Sequence, residues 1–288
     1  MNPLVPYGAL CAIPNIVRTK SGADLFYRDW GAGEPVLFVA GWSLPSDSWK
    51  VQMMALLEAG YRVIAFDRRG HGRSSDPGRG YDFDTLADDI AAVIDALDLT
   101  GATLVGHSMA CGEIVRYLRR HGSAKVRGAA LLGAMTPCLA QGPGNPDGIP
   151  GEMFAAVRRQ LMRDFAGWID ENMEAFVPGA SETTRAWLGT MAMGASLHAL
   201  CACNRALAQE DFRPDLARAD VPVLLIAGGR DASAPPGLTA HPTARLLPDA
   251  TLKLYEDAPH GMFLTHRERV NADLLEFIKS IGHNRADQ

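Results

Sequence analysis

The spacing of apolar residues along this 288-residue chain changes repeatedly between that of a strand and that of a helix. The strand-like runs are residues 25–28, 36–40, 62–66, 102–105, 129–132, 221–227 and 251–255. Between two of them, residues 84–97 carry an apolar stripe with the period of a helix that faces a sheet. Strands that alternate with helices predict a mostly parallel sheet covered by helices on both faces. The sequence therefore predicts an α/β fold.

The alternation stops between residues 135 and 215. This stretch begins with a Gly/Pro-rich segment, 141–151, and continues as helix-like segments rich in Met, Trp and Phe. Either these residues fill ordinary helix interfaces, or the helices form an insertion over the carboxyl edge of the sheet, where open α/β sheets bind ligands. Met and Trp suit an adaptable apolar pocket wall. We predict an N-terminal extension at 1–14, a core at 15–134 and 216–288, and a helical cap at 135–215.

The charge balance argues against nucleic acid as a partner. Lys and Arg number 28 against 33 Asp and Glu, a formal net charge of −5, so no strong positive field is available to hold a phosphate backbone. The first 15 residues lack a basic segment and contain three prolines, and no run of about 18 apolar residues occurs. We therefore expect neither a signal peptide nor a membrane span.

The cysteines favour a reducing compartment. Five are scattered along the chain without a CxxC pair, and no histidine is spaced from them as in a zinc site. We expect reduced thiols in a cytoplasmic protein that binds no metal. They are Cys11, Cys111, Cys138, Cys201 and Cys203.

The segment LVGHSMACG at 104–112 falls where a predicted strand ends and a helix begins. A nucleophile elbow needs this context, because a sharp turn lifts a serine hydroxyl above the sheet and small residues on both sides let strand and helix approach. Gly106 supplies the first small residue, and Ala110 stands where glycine is usual. We predict Ser108 as a nucleophile, the alternative being a chance turn.

A serine nucleophile needs a base, and His260 is the best-placed histidine. It lies in EDAPHG at 256–261, directly after the last predicted strand. His107 precedes the serine and should point the other way, and His71 follows an earlier strand in a glycine-rich turn. The remaining histidines, on helices or peripheral loops, are His121, His198, His241, His266 and His283.

The acid that orients the base is predicted to be Asp231, in AGGRD at 227–231 after the penultimate strand. It precedes His260 by one helix and one strand, as the order Ser, Asp, His requires. Asp257 is the alternative, but it lies on the same loop as His260, three residues before it. The segment 133–137, another place for the acid in such folds, contains no carboxylate.

Acyl transfer also needs N–H donors directed at the developing oxyanion. The elbow places the backbone N–H of Met109, at the start of its helix, close to the serine. A second donor is expected from the loop after strand 36–40, where we predict the backbone N–H of Trp42. The alternative is that Gly41 and Trp42 only form a tight turn.

Residues 16–282 resemble the α/β-hydrolase superfamily, and in particular the cofactor-free bacterial non-haem chloroperoxidases and aryl esterases. The segments that carry the resemblance are AGWSL at 40–44, DSW at 47–49, DRRGHGRSS at 67–75, GHSMACG at 106–112, APHG at 258–261 and NADLLEFIK at 271–279. The resemblance implies an α/β-hydrolase fold with a helical cap. It also implies that Ser108, Asp231 and His260 form a triad that needs no metal or cofactor. Family analogy allows a homo-oligomer.

In that family the triad hydrolyses esters through an acyl-enzyme and, with peroxide and a carboxylic acid, makes peracids that oxidise halide. Three residues depart from the family pattern. Ala40 replaces a histidine, Ser43 replaces the proline after the tryptophan, and Ala110 replaces a glycine. The proline is associated with perhydrolase activity through the position of its loop, so Ser43 favours ester hydrolysis over peracid formation.

The sequence therefore predicts a serine hydrolase whose partner is a small acyl substrate, a carboxylic ester or a lactone. One alternative is a perhydrolase, a haloperoxidase or a C–C hydrolase that uses the same triad. A second, of another class, is a hydrolase-fold receptor that binds a small molecule without turning it over. Residues 1–14 carry no motif that assigns them a role.

Overall fold

A computed structural model describes residues 15–283, which form a single eight-stranded sheet flanked by helices. The strands are β1 (Ile16–Arg18), β2 (Asp24–Trp30), β3 (Pro35–Val39), β4 (Arg62–Phe66), β5 (Ala102–His107), β6 (Val126–Leu132), β7 (Val223–Gly228) and β8 (Ala250–Tyr255). Their order across the sheet is β1-β2-β4-β3-β5-β6-β7-β8. Strands β3 to β8 all pair in parallel with one another, while β2 pairs antiparallel with both of its neighbours, β1 and β4. The predicted α/β fold is confirmed.

The central strands are apolar on both faces because both faces are covered. Every residue of β5 and of β7 is buried. Along β5 the side chains alternate between two cores: Leu104 packs in the core on one face of the sheet, and Val105 in the core on the opposite face. The core helices are α1 (Lys50–Glu58), α2 (Phe83–Ala96), α3 (Met109–His121), α9 (Ala240–Leu246), α10 (Met262–Thr265) and α11 (Arg267–His283).

The predicted strands and the predicted helix 84–97 all coincide with elements of the structure to within a few residues. Helix α2 begins at Phe83 because the side chain of Asp82 accepts a hydrogen bond from the backbone N–H of Thr85 and so caps it. Strand β1 was not predicted, since its three residues are too few to show a period. It adds to the sheet as the antiparallel neighbour of β2.

Between β6 and β7 the chain forms further helices, of which the first four line the cavity over the carboxyl edge of the sheet. These are α4 (Gly151–Arg163), α5 (Phe165–Phe176), α6 (Glu182–Met193), α7 (Leu197–Leu207) and α8 (Arg213–Leu216). We call α4 to α7 the cap. The predicted N-terminal extension, residues 1–14, lies outside the described residues.

Within the described chain, no single helix combines the length and apolar character needed to cross a membrane. Helices α6 and α7 reach that length and composition only as a pair, bent by 87° at the break between them. The four cysteines that fall in the described region are free thiols.

The sheet order places a crevice between two neighbouring strands. From β3 the chain crosses to β4 on one side, and it later returns to β5 on the other side of β3. The loops that leave β3 and β5 therefore run in opposite directions, which opens a cleft at the carboxyl ends of these strands. The loop of Trp42 and the turn of Ser108 border this cleft.

Candidate active site

Ser108 occupies a strained turn between β5 and α3. Its φ and ψ are 59° and −122°, which non-glycine residues rarely adopt, and its backbone N–H donates to the carbonyl of Leu132 at 2.8 Å. A Cβ on Gly106 would lie 2.6 Å from Cδ1 of Ile114 and 3.3 Å from the carbonyl group of Ala110, so strand and helix approach closely there. The methyl group of Ala110 is buried in the core. The turn has the geometry of a nucleophile elbow.

Ser108, His260 and Asp231 form one hydrogen-bonded chain. The Oγ of Ser108 lies 2.8 Å from Nε2 of His260, and Nδ1 of His260 lies 2.7 Å from Oδ2 of Asp231. Because a carboxylate only accepts, Nδ1 carries the imidazole proton and Nε2 is free to accept the proton of the serine hydroxyl. All three residues are buried.

The second carboxylate oxygen of Asp231 is also occupied. Its Oδ1 accepts hydrogen bonds from the backbone N–H groups of Ser233, at 2.9 Å, and Ala234, at 2.7 Å. Burial alone raises the pKa of Asp231, but the charge and hydrogen bond of His260 and the N–H of Ala234 outweigh it, so the pKa lies below its usual value. Asp231 is therefore ionised and able to stabilise a protonated imidazole.

Gly133, directly after β6, makes room for the pair formed by Asp231 and His260. Its φ is +53°, and a Cβ there would lie 3.1 Å from Nδ1 of His260 and 3.3 Å from Oδ2 of Asp231. A side chain at this position would press on the hydrogen bond between the two. The segment 133–137, which contains no carboxylate, thus leaves room for the hydrogen bond between Asp231 and His260.

Asp257 and His71, the alternatives considered for the acid and the base, have other partners. The carboxylate of Asp257 is exposed and pairs with Nε2 of His266 at 3.4 Å. His71 is buried, and its Nδ1 lies 3.0 Å from the carbonyl of Arg69. Burial, followed by the charge of Arg68, lowers the pKa of His71 to about 3. None of these groups joins the chain of Ser108, His260 and Asp231.

His107 supports His260 in a way that sequence reasoning did not anticipate. Its ring centroid lies 4.6 Å from that of His260, and its Nε2 donates to the backbone carbonyl of His260 at 3.0 Å. Burial and then the charge of His260 lower the pKa of His107 to about 3, so its ring is neutral. His107 thus holds the loop of His260 without itself facing Ser108 as a base.

The two predicted oxyanion donors both border the same cavity. Met109 is the first residue of α3, and the first N–H groups of a helix have no acceptor within it. The backbone N–H of Trp42 donates to no acceptor among residues 15–283. The indole Nε1 of Trp42 donates to the carbonyl of Leu200 at 3.1 Å, and its ring packs edge-on against Trp168, so the cap fixes this loop.

Ser43 gives the loop after Trp42 a backbone that proline cannot adopt. Its φ is 67°, whereas the proline ring fixes φ near about −65°. A proline at this position would therefore require a different path of the main chain beside the nucleophile. This difference lies in the loop that carries the predicted N–H of Trp42.

A buried ion pair lies beneath the same loop. Arg68 donates from Nε to Oε1 of Glu113 at 2.8 Å, and the two side chains are 2% and 1% exposed. Its Nη2 donates to the carbonyl of Ala40 at 2.6 Å, and its Nη1 to that of Gly41 at 3.3 Å. Because Glu113 stands on α3, the pair ties the loop after β3 to the helix that begins beside Ser108.

We expect Arg68→Met to lower the free energy of unfolding by about 3–5 kcal/mol, because it leaves the Glu113 carboxylate buried without its partner. Urea denaturation followed by circular dichroism measures this loss. The double variant Arg68→Met, Glu113→Leu should lose less, since it removes both charges. Arg62→Met, which breaks a partly exposed pair with Asp29, is the control and should cost about 1 kcal/mol or less. An Arg68→Met protein as stable as the control would contradict this account.

The cavity above Ser108 has a volume of about 410 Å³, within the usual range for small-molecule sites. Most of its wall is apolar. Its apolar wall from the cap consists of Met153, Phe154, Val157, Trp168, Ile169, Met173, Ala175, Phe176, Leu188, Ala192 and Leu207. Its polar side chains, apart from Ser108 and the histidines, are Ser43, Asn172, Asn204 and Ser233. Within residues 15–283 no group of three or more His, Cys, Asp or Glu side chains is arranged to hold a metal ion.

Comparison with known protein sequences agrees with the fold of the chain. The family profile described as alpha/beta hydrolase fold matches residues 34–267. The chain is 44% identical over 275 residues to a non-heme chloroperoxidase of Streptomyces lividans, which covers 92% of this chain and 99% of that protein. It is 39% identical over 275 residues to a bifunctional esterase/perhydrolase of Acinetobacter calcoaceticus, with the same coverage of each chain.

Solved structures agree with these matches. A bromoperoxidase from Bacillus anthracis superimposes with a TM-score of 0.88 at 34% identity, over 92% of this chain and 99% of that one. An esterase from Exiguobacterium antarcticum superimposes with a TM-score of 0.89 at 32% identity, with the same coverage.

Proposed function

This chain belongs to the α/β-hydrolase fold family, and from that premise we propose that it is a serine hydrolase that cleaves a small carboxylic ester or lactone. The observation that carries the proposal is the unbroken hydrogen-bonded chain from Ser108 through His260 to Asp231. It opens into an apolar cavity of small-molecule size. A nucleophile, a base and an orienting acid in this arrangement are suited to acyl transfer.

In the first half of the reaction, Nε2 of His260 removes the hydroxyl proton of Ser108 as Oγ attacks the carbonyl carbon of the substrate. Asp231 holds the proton on Nδ1 and stabilises the imidazolium. The tetrahedral oxyanion is bound by the backbone N–H groups of Met109 and Trp42, a pair of donors whose loss individually costs about 100- to 1000-fold in such sites. The imidazolium then gives its proton to the alcohol oxygen as the ester bond breaks.

In the second half, water takes the place of the alcohol. His260 removes a proton from the water, the resulting hydroxide attacks the acyl carbon, and a second oxyanion forms in the same site. When the bond to Oγ breaks, His260 returns the proton to Ser108 and the carboxylic acid leaves. In this proposal the reaction uses no metal and no organic cofactor.

A perhydrolase is the second candidate, and similarity to named chloroperoxidases and to an esterase/perhydrolase favours it. Hydrogen peroxide would replace water in attack on the acyl-enzyme and release a peracid. The backbone of Ser43 argues that hydrolysis is the stronger activity, because the loop takes a path that the proline of the family pattern could not adopt. C–C bond hydrolysis by the same triad is a further alternative.

We expect 4-nitrophenyl esters of short and medium aliphatic acids to be hydrolysed, with a burst of 4-nitrophenol equal to the enzyme concentration if deacylation is slow. Bromination of a reporter dye in the presence of peroxide, acetate and bromide measures the perhydrolase activity in parallel, and we expect it to be the weaker of the two. Lactones tested by acid release extend the substrate range. Ester hydrolysis no faster than the uncatalysed rate in buffer would contradict the proposal that the protein is a hydrolase.

A small-molecule receptor is the alternative of another class. It would bind compounds in the cavity without turnover, and the compounds would raise the melting temperature of the protein. Thermal stabilisation by esters that remain intact after long incubation would favour it over an enzyme. For the enzyme, we propose a cytoplasmic location, a small acyl compound as partner and no binding to nucleic acid.

A further inference from the structure

Asn204 lies on α7 in the wall of the cavity above Ser108, and its amide is held in one orientation. Its Oδ1 accepts a hydrogen bond from Nη1 of Arg158, on α4, at 2.7 Å. Because a guanidinium group only donates, the carbonyl oxygen must face Arg158 and the amide nitrogen must face away from it. The guanidinium group of Arg158 thus determines that the amide nitrogen of Asn204 is the end available to a ligand.

The amide nitrogen of Asn204 donates to no acceptor within the described part of the chain. The other amide that borders the cavity, Asn172, differs in this respect. Its Nδ2 donates to the carbonyl of Trp168 at 2.7 Å, and the residue is exposed at the rim. Asn204 therefore offers two unused N–H donors in the cavity wall.

Arg158 is half-buried and forms an ion pair with no carboxylate among residues 15–283. The next residue, Arg159, is exposed and pairs with Glu152 at 2.6 Å. A neighbouring positive charge polarises the amide of Asn204 and strengthens donation from its nitrogen, since hydrogen bonds in a chain reinforce one another. The arrangement favours a ligand atom that is rich in electrons.

The surroundings of Asn204 in the cavity wall are apolar. Phe154 and Val157 come from α4, and Leu207 lies one turn further along α7. A ligand that fills this part of the cavity without an acceptor atom would remove water from the amide and leave its donors unpaired, which is costly. A ligand with a suitably placed oxygen would avoid that cost.

We propose that Asn204 forms a subsite for a carbonyl oxygen remote from the reacting acyl group, so that the preferred substrates are oxo-acyl esters or lactones with a second carbonyl. The identity of the reacting group rests on the proposed function, whereas the acceptor subsite rests on Asn204 and Arg158 alone. Arg158 acts as a positioning residue, and Asn204 contacts the substrate.

The test compares 4-nitrophenyl esters of straight-chain acids with esters of oxo-acids of the same length, the ketone being moved one carbon at a time. For one ketone position we expect kcat/KM to exceed that of the matched straight-chain ester by about 10-fold. Asn204→Leu should bring this ratio close to one, and Arg158→Met should lower it. Arg159→Met, which changes the neighbouring exposed arginine, is the matched control and should keep the ratio.

Binding to the Ser108→Ala variant separates the subsite from the chemistry. Calorimetry with the same uncleaved esters should give a Kd about 10-fold lower for the preferred oxo-ester than for its straight-chain counterpart. A preference in binding that disappears in Asn204→Leu supports the subsite even if the wild type hydrolyses no ester, in which case only the proposed function fails. Equal binding of all esters, no binding of any, or a preference that survives both Asn204→Leu and Arg158→Met would overturn the subsite. Circular dichroism of each variant confirms that it is folded.

Discussion

Replacement of Ser108 by alanine will lower kcat/KM for ester hydrolysis by about 10⁶-fold while leaving the fold intact. The loss is large because the hydroxyl is the group that forms the acyl-enzyme, and removal of a triad nucleophile elsewhere has an effect of this order. The fold should survive because, within residues 15–283, the Ser108 hydroxyl makes one hydrogen bond, to His260, and alanine retains the Cβ. The strained backbone of the turn is kept by the packing of β5 against α3.

Intact-mass analysis after exposure to a fluorophosphonate is the measurement. The wild type should gain one adduct, and Ser108→Ala none, because only an activated serine with a formed oxyanion site reacts readily. Ser280→Ala, which removes an exposed serine on α11, is the control and should be labelled like the wild type. An adduct on Ser108→Ala would place the nucleophile elsewhere. A folded wild type without an adduct would favour the receptor over the enzyme.

The fold could be predicted to the extent that local patterns reflect burial. The fully buried strands β5 and β7 are rich in apolar residues because both faces of the central sheet are covered, and α2 carries an apolar stripe because only one of its faces is covered. Strand β1 lacked such a signal, since three residues pair with β2 at the edge. The arrangement of the cap helices was not predictable either, because apolar residues in this region both pack between helices and line the cavity.

The three candidate triad residues could be predicted from the sequence because each lies at or shortly after the end of a strand. Ser108, Asp231 and His260 directly follow β5, β7 and β8 or lie a few residues beyond them, and parallel strands bring these ends to one edge. No sequence pattern predicted the pair of Arg68 and Glu113. The two residues are 45 positions apart, and they form a buried ion pair because the loop of Arg68 packs on α3.

The supporting contacts of the site were likewise invisible in the sequence. The space left by Gly133 is meaningful only once Asp231 and His260 meet above it. The bond from Arg158 to Asn204 depends on how α4 packs against α7, which the spacing of apolar residues does not specify. A sequence pattern thus identifies groups that react, whereas the groups that orient them emerge from packing.

The hydrogen bonds of Asp231 determine what an asparagine would do in its place. Oδ1 of Asp231 accepts from the backbone N–H groups of Ser233 and Ala234, which can only donate. An asparagine at this position would therefore keep its carbonyl oxygen on that side and present its amide nitrogen to Nδ1 of His260. Nδ1 would become an acceptor, the proton would move to Nε2, and Nε2 could no longer accept the proton of Ser108.

We therefore expect Asp231→Asn to lower kcat by about 10⁴-fold with little change in fold, since the geometry is kept and the tautomer of His260 is reversed. Steady-state hydrolysis of a 4-nitrophenyl ester measures the effect. Asp257→Asn is the matched control: this exposed carboxylate lies three residues from His260 in the sequence but pairs with His266, so kcat should stay within about twofold of the wild type, as for a surface substitution. A large loss in Asp257→Asn together with an active Asp231→Asn would transfer the orienting role to Asp257. Loss in Asp231→Asn alone assigns it to the carboxylate whose second oxygen the backbone holds in place.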